Sequence, residues 1–301
     1  MFQNLVGKKG LSIDRLATLC HIAEAGCISA AAGDNANLQS QYSRQVAELE
    51  EFFGTDLLDR SSRPYRLSQS GRELGRLGRD YLGALDAFAA RCGDQPAQLV
   101  IGAGESMIHW LLIPEVLPQL KRALPNTNFV FRTYQTEAMV RALHDGQIDL
   151  AFVRRNAVPD SLRTRGRWPL QPRLFVPKKF RAKLSPPVGF DQLGDLPMAV
   201  LGGDGQLRSR VDELARTSAV PPNFAIECSS STQIALLVQR KECCAILPSF
   251  ARSQFERASI DDFPVKGLEA LGREFCLAWD RRRSDLLPII TEAARVASRT
   301  A

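Results

Sequence analysis

Gln39-Ser40-Gln41-Tyr42-Ser43-Arg44-Gln45 decides how the first third of this chain folds. These seven residues carry polar hydrogen-bonding heads and run straight into Val46, Leu49, Phe52 and Phe53, apolar positions at steps of three and four. That period buries one helical face and leaves Gln39, Gln41, Arg44 and Gln45 on the other. Gln and Arg can each bond two positions on a base edge, so the makeup is that of a helix that reads the major groove. Alone, the stretch fits a solvated amphipathic helix equally well. Its surroundings favour the first reading.

Upstream, Ser12 can cap a helix whose stripe is Ile13, Leu16, Leu19, Cys20 and Ile22, ending near Gly26. A second short helix is expected from Ser29 through Ala30-Ala31-Ala32, with small residues that let backbones approach. Three short helices with a tight turn before the third form a helix-turn-helix. Downstream, Leu57-Leu58-Asp59-Arg60 leads through Arg63-Pro64-Tyr65 to Arg66-Leu67, a Pro-marked hairpin. Such a wing can place Arg60, Arg63 and Arg66 against phosphate or the adjacent minor groove.

From Ser68 to about Cys92 the period predicts one long helix, with Leu74, Leu77, Tyr81, Leu85 and Phe88 as a seam for a partner helix. A monomer with this helix folded on its own domain is the alternative. Four glycines (71, 75, 78, 83) weaken the helix by about 1 kcal/mol each relative to Ala, so packing must hold it. Net charge is +6, yet residues 1–95 hold 11 basic and 12 acidic residues. Nucleic-acid binding must therefore rest on local clustering. Six Arg (60, 63, 66, 72, 76, 79) share the segment 60–79 with the single acid Glu73, and those from 72 onward read as a solvated face of the long helix.

After Gly93-Asp94-Gln95-Pro96 the pattern turns to alternating strand and helix: Gln98–Ile101, Asn128–Arg132 and Ile148–Val153 as strands, with helices through Leu111-Leu112 and Met139-Leu143. This implies a mostly parallel sheet with ligands at the carboxyl ends of its strands. A second unit is expected from about Arg163, and Glu274–Trp279 should return to the first. In the strand-to-helix turn Gly104-Glu105-Ser106, backbone N–H groups and the Ser106 hydroxyl could hold a carboxylate. Ser231-Thr232 open another helix; Ser106 and Thr232 can equally be plain helix caps. Arg154 and Arg155 follow the third strand and, with the excess of 28 basic over 21 acidic residues beyond 95, suit an anionic ligand. A surface role for one of the two arginines is as good a reading.

Ala31-Ala32, Ser43-Arg44-Gln45, Leu49-Glu50, Phe53-Gly54, Leu57–Arg60, Leu67-Ser68 and Gly71, in that order, resemble the N-terminal winged helix of LysR-type transcriptional regulators. Leu111–Pro114, Leu143–Phe152 and Ala245–Pro248 are similar to that family's effector-binding domain, so the resemblance spans nearly the whole chain. It implies an α/β protein with an N-terminal all-α winged helix-turn-helix and a C-terminal two-lobed effector domain like a type 2 periplasmic binding protein. The expected division is 1–67 for DNA binding, 68–96 for the linker and dimerisation helix with its hinge, and 97–301 for the effector. Lobe I would be 97–162 with 266–301, and lobe II 163–265. The family position that contacts effector across the cleft falls on Thr136.

The expectation is thus a homodimer or homotetramer that binds promoter DNA, with RNA polymerase as a further contact and no cofactor. The expected DNA residues are Gln39, Ser40, Gln41, Ser43, Arg44, Gln45, Arg60, Arg63 and Arg66. The expected effector residues are Gly104, Ser106, Thr136, Arg154, Ser231 and Thr232. The pairing residues would be Leu74, Leu77, Tyr81 and Leu85. Alternatives are a small-molecule binding protein without a transcriptional role, or a constitutive regulator lacking an effector. No apolar run reaches the ~20 residues a membrane helix needs, and Met1–Gly10 lacks a secretory core, which points to the cytoplasm. No nucleophile elbow, phosphate loop or paired-carboxylate motif is present, so an enzyme is not expected. The seven Cys and three His show no metal-ligand spacing, although Cys228 with Cys243 or Cys244 could form a redox pair.

Five positions depart from the family pattern: Asn35, Asn37, Leu38 at the usual place of a cap, and Lys241 and Cys243 where glycines are usual. Asn35 and Asn37 stand at usually apolar sites, which suggests Asn37 as the cap of the reading helix with Leu38 turned inside. Lys241 stands where glycine is usual, so the turn there should differ. One extra residue precedes the Leu-Leu-x-Pro segment, which loosens the placement of Ser106.

Overall fold

Ser12 accepts the Arg15 amide proton at 3.2 Å and starts α1 (Ile13–Ala25), which stops at Gly26 with φ +86°. This helix and all other elements come from a computed structural model that describes residues 2–7, 9–33, 35–61, 63–93, 95–182, 184–203 and 206–300. In α2 (Ile28–Ala32) the cap is Cys27, whose sulfur accepts from Ala30, so the helix starts one residue ahead of Ser29. Asn35 caps α3 (Ala36–Phe53) by accepting from the Leu38 amide at 3.1 Å. Asn37 therefore sits inside the first turn and does not cap it. The cap moved because Asx side chains satisfy orphan N–H groups from either position and Asn35 has the extended backbone a cap requires.

Leu19, Ile22, Val46, Leu49, Leu57, Leu58 and Leu67 form the small core of this unit. The wing is a short antiparallel pair, β1 (Leu58–Asp59) and β2 (Arg66–Leu67). Ser68 then accepts from Gly71 N at 3.0 Å and opens α4 (Gln69–Cys92). Its glycines let it lie directly on the first unit. A Cβ at Gly71 would overlap the Leu57 carbonyl, and one at Gly78 would sit 3.1 Å from the Cys20 sulfur.

The remainder runs β3 (Ala97–Ala103), α5 (Glu105–Met107), a π-helix over Ile108–Val116, α6 (Leu117–Ala123), β4 (Thr127–Thr133), α7 (Thr136–His144), β5 (Leu150–Arg154) and β6 (Leu162–Leu170). It continues with β7 (Pro172–Pro177), α8 (Lys178–Arg181), β8 (Pro197–Leu201), α9 (Gln206–Thr217), β9 (Asn223–Cys228), α10 (Ser231–Gln239), β10 (Cys244–Pro248) and β11 (Ile260–Pro264). β12 (Arg273–Asp280), α11 (Arg281–Leu286) and α12 (Pro288–Ala297) close the chain. Two five-stranded sheets result, in the orders β4-β3-β5-β12-β6 and β11-β7-β10-β8-β9.

Both sheets are mixed, not mostly parallel. β3 pairs parallel with β4 and β5, whereas β12 runs antiparallel to β5 and β6. The antiparallel strands are those on which the chain crosses between lobes, a connection that strand-helix alternation does not reveal. The lobe boundary also moves. β6 pairs with β12 from Leu162↔Asp280 to Leu170↔Arg273, so it belongs to the first lobe and the second starts at Pro172, not Arg163. Leu268 is buried in the second lobe's core, so the return crossing lies near Gly272 and not at 266.

The Leu-Leu-x-Pro segment itself lies in the π-helix Ile108–Val116, whose turns are wider than those of an α-helix. Leu111, Leu112 and Val116 stay in the first lobe's core. Trp110, only 2 % exposed, instead packs among Phe175, Ile234, Val238 and Phe255 of the second lobe.

Candidate DNA-reading surface and effector cleft

The outward face of α3 and the wing meet along one groove. Ile28, Ser29, Gln39, Ser43, Arg63, Pro64 and Tyr65 line it, which brings two of the predicted reading residues beside a predicted wing arginine. Arg44, which is not among the lining residues, is 75 % exposed and only loosely faces Glu48 at 3.9 Å. A surface i,i+4 pair of this kind contributes roughly 0.3–0.5 kcal/mol, too little to hold Arg44 away from a phosphate or a base. Gln41 and Ser40 are exposed, although the Ser40 hydroxyl donates back to the Ala36 carbonyl at 3.1 Å.

Further predicted DNA residues have other partners, beginning with Gln39, whose side-chain amide donates to the Gly33 carbonyl at 3.5 Å. Gln45 is half-buried, and its carbonyl oxygen accepts from the Thr18 hydroxyl at 2.6 Å, which pins α3 to α1. Arg60 donates to Glu50 at 2.8 Å, while the other oxygen of Glu50 accepts from the Leu57 and Leu58 amides. Glu50 thus anchors the wing, and Arg60 serves that anchor. The arginines beyond the wing are not a plain solvated face either. Arg72 donates to the Leu67 carbonyl at 2.7 Å, and Arg79 bonds to Glu24 and to the Cys20 carbonyl.

Along α4, Leu77, Tyr81, Leu85 and Phe88 are 39, 58, 56 and 58 % exposed. They recur at steps of four, four and three and so form one apolar stripe. Leu74, placed on the same seam from sequence, packs instead against the core of the first unit. Leu77 and the residues after it on the stripe point away from α1, while Gly78 and Arg79 stay packed on it.

Between the lobes lies a cavity of about 780 Å³, lined among others by Gly104, Glu105, Tyr134, Thr136, Phe152, Arg154, Arg273 and Phe275. This is within the roughly 300–1,000 Å³ of small-molecule sites. The register explains the lining: Arg154 ends β5 directly opposite Phe275 on β12, and Phe152 and Arg273 lie two residues away on the same face. Arg154 donates to the Thr136 hydroxyl at 3.3 Å. Arg155 faces outward and pairs with Glu274 at 3.3 Å.

Three expected effector residues are not on this lining. Ser106 is half-buried behind it, Ser231 is the first residue of α10, and the cap of α10 is Ser230. Thr232 donates across the rim to Glu105 at 2.6 Å, and the Ser253 hydroxyl donates to the Trp110 carbonyl at 3.1 Å. The helix starts that could have faced a ligand are thus engaged in fastening one lobe to the other. Arg273, which sequence reasoning missed, is recognisable only once β12 is known to return beside β5.

The model for "Bacterial regulatory helix-turn-helix protein, lysR family" matches residues 13–72, and that for "LysR substrate binding domain" matches residues 93–290. The chain belongs to the LysR family. A probable hydrogen peroxide-inducible genes activator of Mycobacterium leprae is 27 % identical over 238 residues, 77 % of this chain and 74 % of that protein. An uncharacterised HTH-type regulator of Bacillus subtilis, YybE, is 24 % identical over 70 % of this chain and 73 % of its own length. Among solved structures, a full-length OxyR variant from Pseudomonas aeruginosa superposes with TM-score 0.62 at 19 % identity, covering 95 % of each chain. CrgA from Neisseria meningitidis does so with TM-score 0.54 at 18 % identity, over 96 % of this chain and 99 % of its own. The protein is therefore a DNA-binding transcriptional regulator with an effector-binding domain, not an enzyme.

Within this LysR-family chain no helix of the described residues is long and apolar enough to cross a membrane, and those residues hold no His/Cys/Asp/Glu cluster fit for a metal. All seven cysteines are free. Burial pushes the thiols of Cys243 and Cys276 up to about 11 and that of Cys244 to about 12, so they stay protonated at neutral pH. Cys27 is the exception: the hydrogen bond from Ser29 and the Ala30 amide hold its thiol below the usual value.

Proposed function

We propose that the chain works in the cytoplasm as a homodimer, or a dimer of dimers, joined along Leu77, Tyr81 and Leu85 of α4. Each protomer reads one major-groove half-site with Gln39, Gln41, Ser43 and Arg44, with Ser40 at its edge, while Arg63 and Arg66 of the wing grip the neighbouring backbone. Arg44 is the residue assigned to a base, because its fork matches two acceptors of guanine. RNA polymerase is the natural recipient of the bound complex.

A small anionic effector is assigned to the cleft, with Arg154, Thr136, Gly104 and Arg273 around its charge and Phe152 and Phe275 against its apolar body. The observation that carries this reading is the convergence of Gln39, Ser43 and Arg63 on one groove, with Arg44 exposed on the same helix.

The test is selection of bound sequences from random duplex DNA by the full-length protein, followed by affinity at several salt concentrations. An inverted repeat with half-sites about one helical turn or a multiple apart is expected. Arg44→Ala should then cost about 1–3 kcal/mol on the selected site and much less on random DNA. Equal losses on both would reduce Arg44 to a phosphate contact, and no enrichment at all would sink the DNA reading.

A further inference from the structure

Arg283 is buried where the linker helix meets the first lobe, and it holds two carboxylates at once. Its guanidinium donates to Asp80 of α4 at 3.0 Å and to Asp149 at 2.5 Å. Asp80, Asp149 and Arg283 are 5, 6 and 7 % exposed, so none of the three charges is satisfied by water. Asp149 is itself fixed: its other oxygen accepts from the Val100 amide at 2.7 Å, and its own amide donates to the Val100 carbonyl at 2.8 Å.

The backbone is shaped around this group. Gly146 has φ +67°, and a Cβ there would come within 2.8 Å of the Arg283 guanidinium and 3.1 Å of the Asp80 carboxylate. The preceding residue of α4, Arg79, bonds to Glu24 and the Cys20 carbonyl of α1. Consecutive residues of α4 therefore grip the DNA-reading unit and the effector domain. The same group ends both central strands of the cleft. Asp149 immediately precedes β5, which finishes at Arg154, and β12 starts at Arg273 and finishes at Asp280, the cap of α11, which carries Arg283.

Apolar residues of equal volume would join two domains at least as firmly as a buried ion group. What the ion group adds is direction, because a guanidinium bonds two carboxylates only in its own plane. We propose that Arg283 is a positioning residue: by bonding Asp80 and Asp149 together it locks the first lobe in one orientation on α4, and so sets the angle between the DNA-reading unit and the cleft.

The test replaces Asp80 in the full-length protein. Asp80→Leu removes the bond to α4 and leaves Arg283 neutralised by Asp149, whereas Asp80→Asn keeps an acceptor for Arg283. Amide exchange of the free protein is expected to rise at least about tenfold in segments 77–83, 145–150 and 281–286 with Leu, and to return to within about threefold of the parent with Asn. On the selected duplex, the bend angle from circularly permuted fragments should change with Leu and recover with Asn, while affinity for a single half-site stays within about threefold. Parental exchange and bending in Asp80→Leu would overturn the lock, as would an Asn variant no closer to the parent than Leu. Should Asp80→Leu not fold, Asp80→Ala carries the same outcomes. The exchange measurement needs no DNA, so a failure of DNA selection counts against the proposed function and not against the lock.

Discussion

Replacing Trp110 by Ala tests whether the two lobes are held by one side chain. The indole belongs to the first lobe by sequence and to the second by packing, where it meets Phe175, Ile234, Val238 and Phe255 at 2 % exposure. Truncating a buried Trp costs about 3–5 kcal/mol through lost transfer energy and the cavity left behind. For a domain of this size each kcal/mol lowers the melting temperature by roughly 2–4 °C, so a drop of about 6–20 °C is expected. Because the cavity opens in the second lobe while the anchor is lost from the first, the calorimetric transition of the effector domain should also split. The bonds Thr232 to Glu105 and Ser253 to the Trp110 backbone survive the change but are worth only about 0.5–3 kcal/mol each. Scanning calorimetry and urea melts of the full-length chain read both effects, with Trp110→Phe recovering part of the loss. A loss below about 1 kcal/mol with a single transition would refute the anchoring role.

Leu85→Asp puts a charge in the middle of the exposed stripe of α4 and should shift the protein toward monomer in sedimentation; an unchanged mass would remove that seam. Lys241 holds φ +64°, which costs roughly 1–2 kcal/mol for a residue with a Cβ. Lys241→Gly should therefore stabilise by about 0.5–1 kcal/mol after the greater backbone entropy of glycine is deducted, readable as a higher denaturant midpoint. Thiol titration at pH 7.5 should modify Cys27 and the exposed Cys92 first, and Cys243, Cys244 and Cys276 only on unfolding. The same three raised thiols leave stability unaffected below their ordinary value of 9.0 and erode it as pH rises from there toward 11–12, where the unfolded chain ionises first. Rapid labelling of Cys243 in the native protein would show that the second lobe opens far more readily than its packing implies.

The first ninety residues were legible because helix caps and apolar period are local signals. Ser12, Gly26 and Gly54 each stand one residue beyond the helix they start or stop. Leu74 was not legible, since a seam facing a partner and a face packed on α1 have the same period. In the cleft, strand ends were readable and helix starts were not. Each helical residue turns the side chain by about 100°, so whether Ser106 or its neighbour faces the ligand depends on a rotation that short apolar patterns do not fix. The bond from Thr232 to Glu105 joins residues 127 positions apart and leaves no sequence signal at all.

The departures from the family pattern point the same way. Asn35 caps in place of Asn37, Lys241 accepts the left-handed backbone that glycine would hold without strain, and the Leu-Leu-x-Pro segment lies in a π-helix. Each of the three is a matter of local backbone or capping geometry. The π-helix is the most instructive of the three. Leu111, Leu112 and Val116 lie within it and are each at most 3 % exposed. Burying those side chains is worth several kcal/mol in total, more than the poorer hydrogen-bond geometry of one wide turn sacrifices. Within one π-helix, Leu111, Leu112 and Val116 thus serve the first lobe's core while the indole of Trp110 packs in the second.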